Sequence, residues 1–263
     1  MKNRIYLCLL AATVISHPAF PLDDPAQRLS NQSSLLPGYQ GAPPPSTVTT
    51  KLVAAHRTKR ANFAKERALF ETRHLADWVV DSGDNLTMPF VIIDKIDAKV
   101  FVFDQDGRLR GAAPALLGLA RGDNAVPGIG ERKLSSMRPE ERTTPAGRFV
   151  ASLGRNFHGK EILWVDYDGA VSMHPVITSN PSERRAERLA TPTPRDNRIS
   201  FGCINVPAKF FNTVVRPAFT RTDGIVYVLP ETRSTHEVFG SYDVDAHERQ
   251  QPVSQPVSGY GSK

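Results

Sequence analysis

From Met88 onward the chain breaks into short runs of β-branched and aromatic residues, and that punctuation limits the folds open to it more than any other feature. Phe90-Val91-Ile92-Ile93, Lys99-Val100-Phe101-Val102-Phe103, Arg148-Phe149-Val150-Ala151 and Ile162-Leu163-Trp164-Val165 are of strand length. The dipeptides Asp106-Gly107 and Asp168-Gly169 fall between such runs as turn signals. Val171-Ser172-Met173 and the stretch from Gly224 to Leu229 add two further strands. Many short strands joined by turns predict a mainly β, largely antiparallel sandwich or barrel-like domain over residues 89–231. Residues 206–219, with Phe210 and Phe211, predict a short helix covering it.

The flanks are different in texture. Lys2 and Arg4 precede an uncharged, mostly apolar run from Ile5 to Ile15. A bilayer-crossing helix needs about 20 such residues, so residues 1–19 read as a secretory signal peptide, with cleavage near Ser16 or Ala19, and the protein as exported to a periplasm or cell envelope. Residues 20–50 form a Pro-rich linker that includes Gly41-Ala42-Pro43-Pro44-Pro45. Residues 51–80 hold neither Gly nor Pro and are dense in Ala, Arg, Lys, Glu and Leu, which predicts an amphipathic helix within a basic segment spanning 51–84. Between Lys51 and Arg73 seven basic residues face two acidic ones; the net +5 is either a solvated helix face or a contact with an anionic wall polymer or membrane surface. Residues 232–263 are polar, end in a Gln-Pro-Val-Ser repeat, and read as a disordered tail.

Charge and cysteine count exclude several classes. A formal net charge of +6 favours a polyanionic neighbour, but export argues against nucleic acid. Two cysteines rule out a disulfide scaffold and a Cys-based zinc finger. Removal of the signal peptide takes Cys8 away, leaving Cys203 as a lone thiol in an oxidising compartment. Such a thiol is either buried and inert or kept for its chemistry. Other short motifs carry little: Arg121-Gly122-Asp123 and Asn85-Leu86-Thr87 are chance-length matches, and Gly154 to Lys160 spells GxxxxGK with Glu161 where a P-loop needs Ser or Thr.

The surroundings of Cys203 are informative. In Arg198-Ile199-Ser200-Phe201-Gly202-Cys203-Ile204-Asn205, Gly202 allows close approach of the backbone to a substrate, and adjacent amides there can face a developing oxyanion. Met173-His174-Pro175 ends a strand and offers an imidazole able to convert the thiol to thiolate. These residues allow a nucleophilic cysteine or a buried structural one.

The chain resembles the catalytic domain of the L,D-transpeptidases, the YkuD fold. That family's pattern is a His, a loop, then Ser/Thr-His-Gly-Cys-hydrophobic-Asn/Arg, with Thr-Pro-x-Gly-aromatic upstream. The similar pieces here are Thr144-Pro145-Ala146-Gly147-Arg148-Phe149, His174, and Ser200-Phe201-Gly202-Cys203-Ile204-Asn205, within residues 89–231. The resemblance implies a YkuD β-sandwich and an enzyme that acts on peptidoglycan stem peptides without metal or organic cofactor. It implies that Cys203 attacks the diamino acid preceding a terminal D-Ala, that His174 is the base, and that the Gly202 and Cys203 amides stabilise the tetrahedral intermediate. Ser200, Asn205 and Arg198 are then candidates for shaping the site. A carboxypeptidase or hydrolase using the same thioester, and an inactive wall-binding protein, are the alternatives. Two departures stand out: Phe201 replaces the motif's second His, and 29 positions separate His174 from Cys203, with the excess in the Arg- and Pro-rich stretch Ser179 to Asn197. That stretch is expected to lie over the cleft as a lid or wall.

Overall fold

The computed structural model describes residues 58–250. The expected signal peptide, the linker, the first residues of the basic segment and the end of the tail lie outside the described residues. The elements in chain order are α1 (Phe70–Ser82), β1 (Phe90–Asp94), β2 (Lys99–Phe103), β3 (Leu109–Pro114), β4 (Leu117–Gly118), β5 (Gly147–Arg155), β6 (Glu161–Asp166), β7 (Val171–Pro175), α2 (Arg185–Ala190), β8 (Arg198–Ser200) and β9 (Ile204–Val206). After them come α3 (Ala208–Phe210), a π-helical turn (Phe211–Val215), α4 (Arg216–Ala218), β10 (Gly224–Val228), α5 (Thr235–Phe239) and α6 (Val244–Gln250). No helix among the described residues is long and apolar enough to cross a membrane.

Eight strands make one sheet in the order β3-β2-β1-β10-β5-β6-β7-β9. Most neighbours are antiparallel, but β1 runs parallel to β10 and β7 parallel to β9. The sheet curls into a sandwich. Val91, Ile93 and Val100 from one half share a core with Leu163, Met173 and Ile204 from the other. A bridge between Leu116 and Asn205 ties the two ends, through Leu116 N–H to Asn205 C=O at 2.8 Å and the reciprocal bond at 2.9 Å. The expected covering helix is present as α3, the π turn and α4, with Phe210, Phe211 and Val215 on the core.

Continuous apolar runs in β1, β2 and β10 follow from burial on both faces. The alternate set, Phe90, Ile92, Phe101, Phe103 and Tyr227, packs against Leu75, Trp78 and Val79 of α1, with Phe63 and Val244. Phe90 stacks on Phe103 with ring centroids 4.7 Å apart. Thr72 Oγ1 donates to Asp94 Oδ2 at 2.7 Å, which fixes α1 on β1. The helix ends at Gly83, whose φ of 72° gives the left-handed cap that glycine adopts without steric cost.

Two boundaries differ from expectation. Among the described residues of the basic segment 51–84 the helix occupies 70–82; residues 58–69 are not helical, bridging Arg108 at Asn62 and turning at Ala64, whose φ is 51°. Asn62 N–H donates to Gly107 C=O at 2.8 Å and Asn62 C=O accepts from Leu109 N–H at 2.9 Å, while Phe63 is buried. Tertiary pairing there overrides helix propensity. The segment expected to be a disordered tail folds through Gln250. Ser234 and Glu237 form a capping box for α5, and Val244 of α6 is buried against α1. Burial and the bond donated to Asp81 push the Tyr242 hydroxyl up to about 12.

Candidate active site

Cys203 sits on the turn between β8 and β9, and three interactions shape that turn. Ser200 Oγ donates to Cys203 C=O at 2.6 Å and accepts from Gly202 N–H at 3.1 Å. Thr144 Oγ1, fully buried, donates to Gly202 C=O at 2.8 Å and accepts from Gly118 N–H at 2.9 Å. Gly202 has a φ of 128°, and a Cβ there would lie 2.9 Å from Thr143 O, so both conformation and space require glycine. Thr144 thus connects the upstream Thr-Pro-Ala-Gly stretch to the cysteine turn.

His174 is the penultimate residue of β7, the strand paired with β9. Its Nδ1 lies 2.8 Å from Pro175 O, so Nδ1–H donates there and Nε2 keeps the lone pair. Asn205 Nδ2 lies 3.3 Å from Nε2. The Cys203 Sγ lies 3.7 Å from Ser172 Oγ and 3.6 Å from Ala170 O. Burial pushes the Cys203 thiol up, but hydrogen bonding to His174, its charge, and Ser172 pull it further down, leaving the thiol below its ordinary value. Burial lowers the His174 pKa, and the contact with Cys203 more than reverses this, leaving it raised. The two shifts are complementary: each lowers the cost of moving the thiol proton to the imidazole.

Cys203 borders two cavities. One, of about 260 Å³, is bounded by Ile129, Arg132, Met137, Glu141 and Phe201. The other, of about 640 Å³, is bounded by Ile162, Ser172, His174, Ile177 and Phe211. Phe201 lies under the Arg142 guanidinium, 4.0 Å from its ring centroid, and so forms part of the smaller cavity's wall.

Five of the expected residues, Cys203, His174, Ser200, Gly202 and Asn205, are brought together. Their placement corrects two expectations. Gly202 N–H is engaged by Ser200 Oγ, which leaves the Cys203 amide as the turn's candidate oxyanion donor. Arg198 borders neither cavity at Cys203: it is paired with Glu231 at 2.7 Å and donates to Lys95 C=O at 2.7 Å, within a buried cluster that includes Lys95 and Asp123. A guanidinium at the head of a motif is expected near the chemistry, but here the Glu231 carboxylate and the Lys95 carbonyl hold it elsewhere. Sequence reasoning missed Arg185 on α2, whose Nη1 donates to Asn205 Oδ1 at 2.6 Å. Its only sequence signal is the Arg-rich composition of the long His-to-Cys loop. Among the described residues no group of three His, Cys, Asp or Glu side chains is placed to hold a metal ion.

No family model matches the chain, and no curated protein matches it. Among solved structures it is similar to an L,D-transpeptidase from Xylanimonas cellulosilytica, at 17% identity over 54% of this chain and 60% of that one, with a TM-score of 0.36. It is similar to the helical cell shape determining protein Pgp2 from Campylobacter jejuni, at 16% identity over 56% of this chain and 49% of that one, with a TM-score of 0.36. The catalytic domain of the Enterococcus faecium L,D-transpeptidase is similar at 17% identity over 54% of this chain and 96% of that one, with a TM-score of 0.27. Two further similar structures, the LD transpeptidase LdtMt1 with imipenem and the Ldtfm-avibactam carbamoyl enzyme, are spanned over 58% and 49% of their length.

Proposed function

We propose that the chain is an exported, cysteine-dependent L,D-transpeptidase acting on peptidoglycan stem peptides. The observation that carries this reading is the position of Cys203: a thiol held below its ordinary pKa by His174, at the junction of two cavities. A transferase needs that junction, because the acyl donor and the acceptor must both reach one sulfur.

His174 Nε2 takes the thiol proton, and the thiolate adds to the carbonyl of the diamino acid that precedes terminal D-Ala. The oxygen becomes an oxyanion facing the Cys203 amide. The carbon–nitrogen bond breaks, His174 returns its proton to the departing D-Ala amine, and a thioester remains on Cys203. An acceptor amine then adds to that thioester, His174 removes its proton, and the thiol leaves with a proton restored. The departing and entering amines both exchange protons with His174, so they share one location, and the larger cavity, which His174 borders, is the one assigned to them. The smaller cavity then takes the acyl portion of the donor stem.

Purified muropeptides and mass analysis of the products test the proposal. Release of D-Ala with a dimer linked between two diamino acids is expected from wild type and not from Cys203→Ala. Trimmed monomer alone would replace the transferase with a carboxypeptidase, and unchanged substrate would leave a binding protein.

A further inference from the structure

The stretch between Ser179 and Asn197 lines neither cavity at Cys203, where a lid or wall was expected; instead it brings a largely buried cation to Asn205, beside His174. Arg185 has a side chain only 12% exposed, and its Nε donates to Glu183 Oε2 at 2.5 Å. Its Nη1 donates to Asn205 Oδ1 at 2.6 Å, and Asn205, on β9, is 1% exposed. A primary amide has one accepting end and one donating end, whereas a guanidinium only donates. The bond to Arg185 therefore fixes the Asn205 oxygen toward α2 and the Nδ2 group toward His174 Nε2 at 3.3 Å, with Cys203 O as a second acceptor at 3.4 Å. A donor facing Nε2 needs a lone pair there. The complementary proton sits on Nδ1, 2.8 Å from Pro175 O.

We propose that Arg185 is a positioning residue for the base: through Asn205, and together with the Pro175 carbonyl, it holds His174 as the Nδ1–H tautomer, which leaves Nε2 unprotonated and able to take the thiol proton. The proposal rests on the assignment of Cys203 and His174 as nucleophile and base. The charge on Arg185 also works against a lasting imidazolium, in the direction opposite to the contact with Cys203. When Nε2 gains the thiol proton, Asn205 Nδ2 retains Cys203 O as its acceptor, so the relay does not block the transfer. The remaining charged or titratable groups on that cavity are His158, Lys160 and Glu161, the last paired with Arg216 at 3.0 Å. None of these is altered in the variants below.

The test uses the full chain with ¹⁵N-labelled histidine, read by the ring-nitrogen shifts of His174 across pH, beside iodoacetamide alkylation of Cys203 followed by intact mass. Wild type above its titration should show the Nδ1–H tautomer. In Arg185→Met the amide is free to turn its oxygen to Nε2, so the Nε2–H tautomer should gain population against the Nδ1–H form that Pro175 O still favours, and the titration should move upward. Alkylation near neutral pH should fall about tenfold, well short of the ~10²–10⁴-fold expected for removing the base outright. Arg185→Lys restores a donor and a charge and should return the spectrum toward wild type, a readout that a purely structural role would not move. Asn205→Asp presents only acceptors to Nε2 while Arg185 remains, so it should give the Nε2–H form by an independent route if Arg185→Met folds poorly. Wild-type tautomer and titration in both Arg185→Met and Asn205→Asp would overturn the proposal while leaving the dyad intact. Equal alkylation of wild type and His174→Ala would overturn the dyad itself, and the positioning role with it.

Discussion

An activated thiol and an inert buried one differ in what they do in the native protein. Wild type should take up one carbapenem molecule by intact mass, and Cys203→Ala none; labelling of Cys203 only after denaturation would return it to a structural role. His174→Ala should slow adduct formation by about 10²–10⁴-fold, the usual size of a lost general base. Phe201 accepts no proton, and its ring is held by Arg142 at 4.0 Å, so it walls the cleft and can exclude water from a thioester. Phe201→His should therefore alter rate or acceptor preference without being required. An inert wild type revived by Phe201→His alone would move the base assignment away from His174. Thr144 offers a separate check on the turn. Thr144→Val leaves the buried Gly118 N–H and Gly202 C=O without their shared partner, each costing about 1–3 kcal/mol. A lower melting temperature together with slower acylation is the expected result.

At the scale of elements, the wall of the smaller cavity depends on one carboxylate. Glu141 accepts from Arg132 Nη1 at 3.0 Å and from Arg138 N–H at 2.8 Å, and these bonds, Arg132 first, bring its pKa from 4.5 to about 2. The folded pKa is depressed, so this stabilisation is complete above the ordinary carboxylate value and fades as pH falls from about 4.5 toward 2. Amide exchange should rise across residues 129–142 in that window before β1, β2 and β10 exchange; simultaneous opening would show that Glu141 does not hold the segment. The strands at 90–94 and 99–103 are legible in sequence because burial on both faces demands uninterrupted apolar residues. The start of α1 is not, since helix-forming composition extends well before Phe70, while the pairing of Asn62 with the β2–β3 hairpin and the left-handed turn at Ala64 keep that stretch out of the helix. The Cys-turn residues are legible as a motif, whereas the Arg185–Asn205 bond depends on the path of an irregular loop, which periodicity does not encode. Likewise Arg198 belongs to the motif by position and to the Glu231 cluster by packing.

For the molecule as a whole, the basic contact expected of residues 51–73 can be followed on described side chains, of which Lys59 is exposed. Arg60 is paired with Asp245 and Glu248, at 2.5 and 3.2 Å, and the Arg73 guanidinium lies 4.6 Å from the Phe63 ring centroid. Lys65 and Arg67 are exposed. Lys65→Glu with Arg67→Glu should reduce pelleting with intact sacculi at low salt, with the difference vanishing near 1 M salt, where screening acts within about 3 Å; unchanged pelleting would remove these residues from any wall contact. A cut at Asp84 would strip Leu75, Trp78 and Val79 from the core and should unfold the domain, so shorter chains must retain α1. The parallel pairing of β1 with β10 has a consequence for biogenesis. Phe90 sits opposite Ile225, so a strand at the centre of the sheet is synthesised after all the other described strands. A nascent chain ending before Gly224 lacks the strand that joins β1 to β5, and should stay protease-sensitive however long it waits. Such late closure, dominated by distant contacts, slows folding. Under the export proposed above, that delay would keep the described part of the polypeptide unfolded until β10 has crossed.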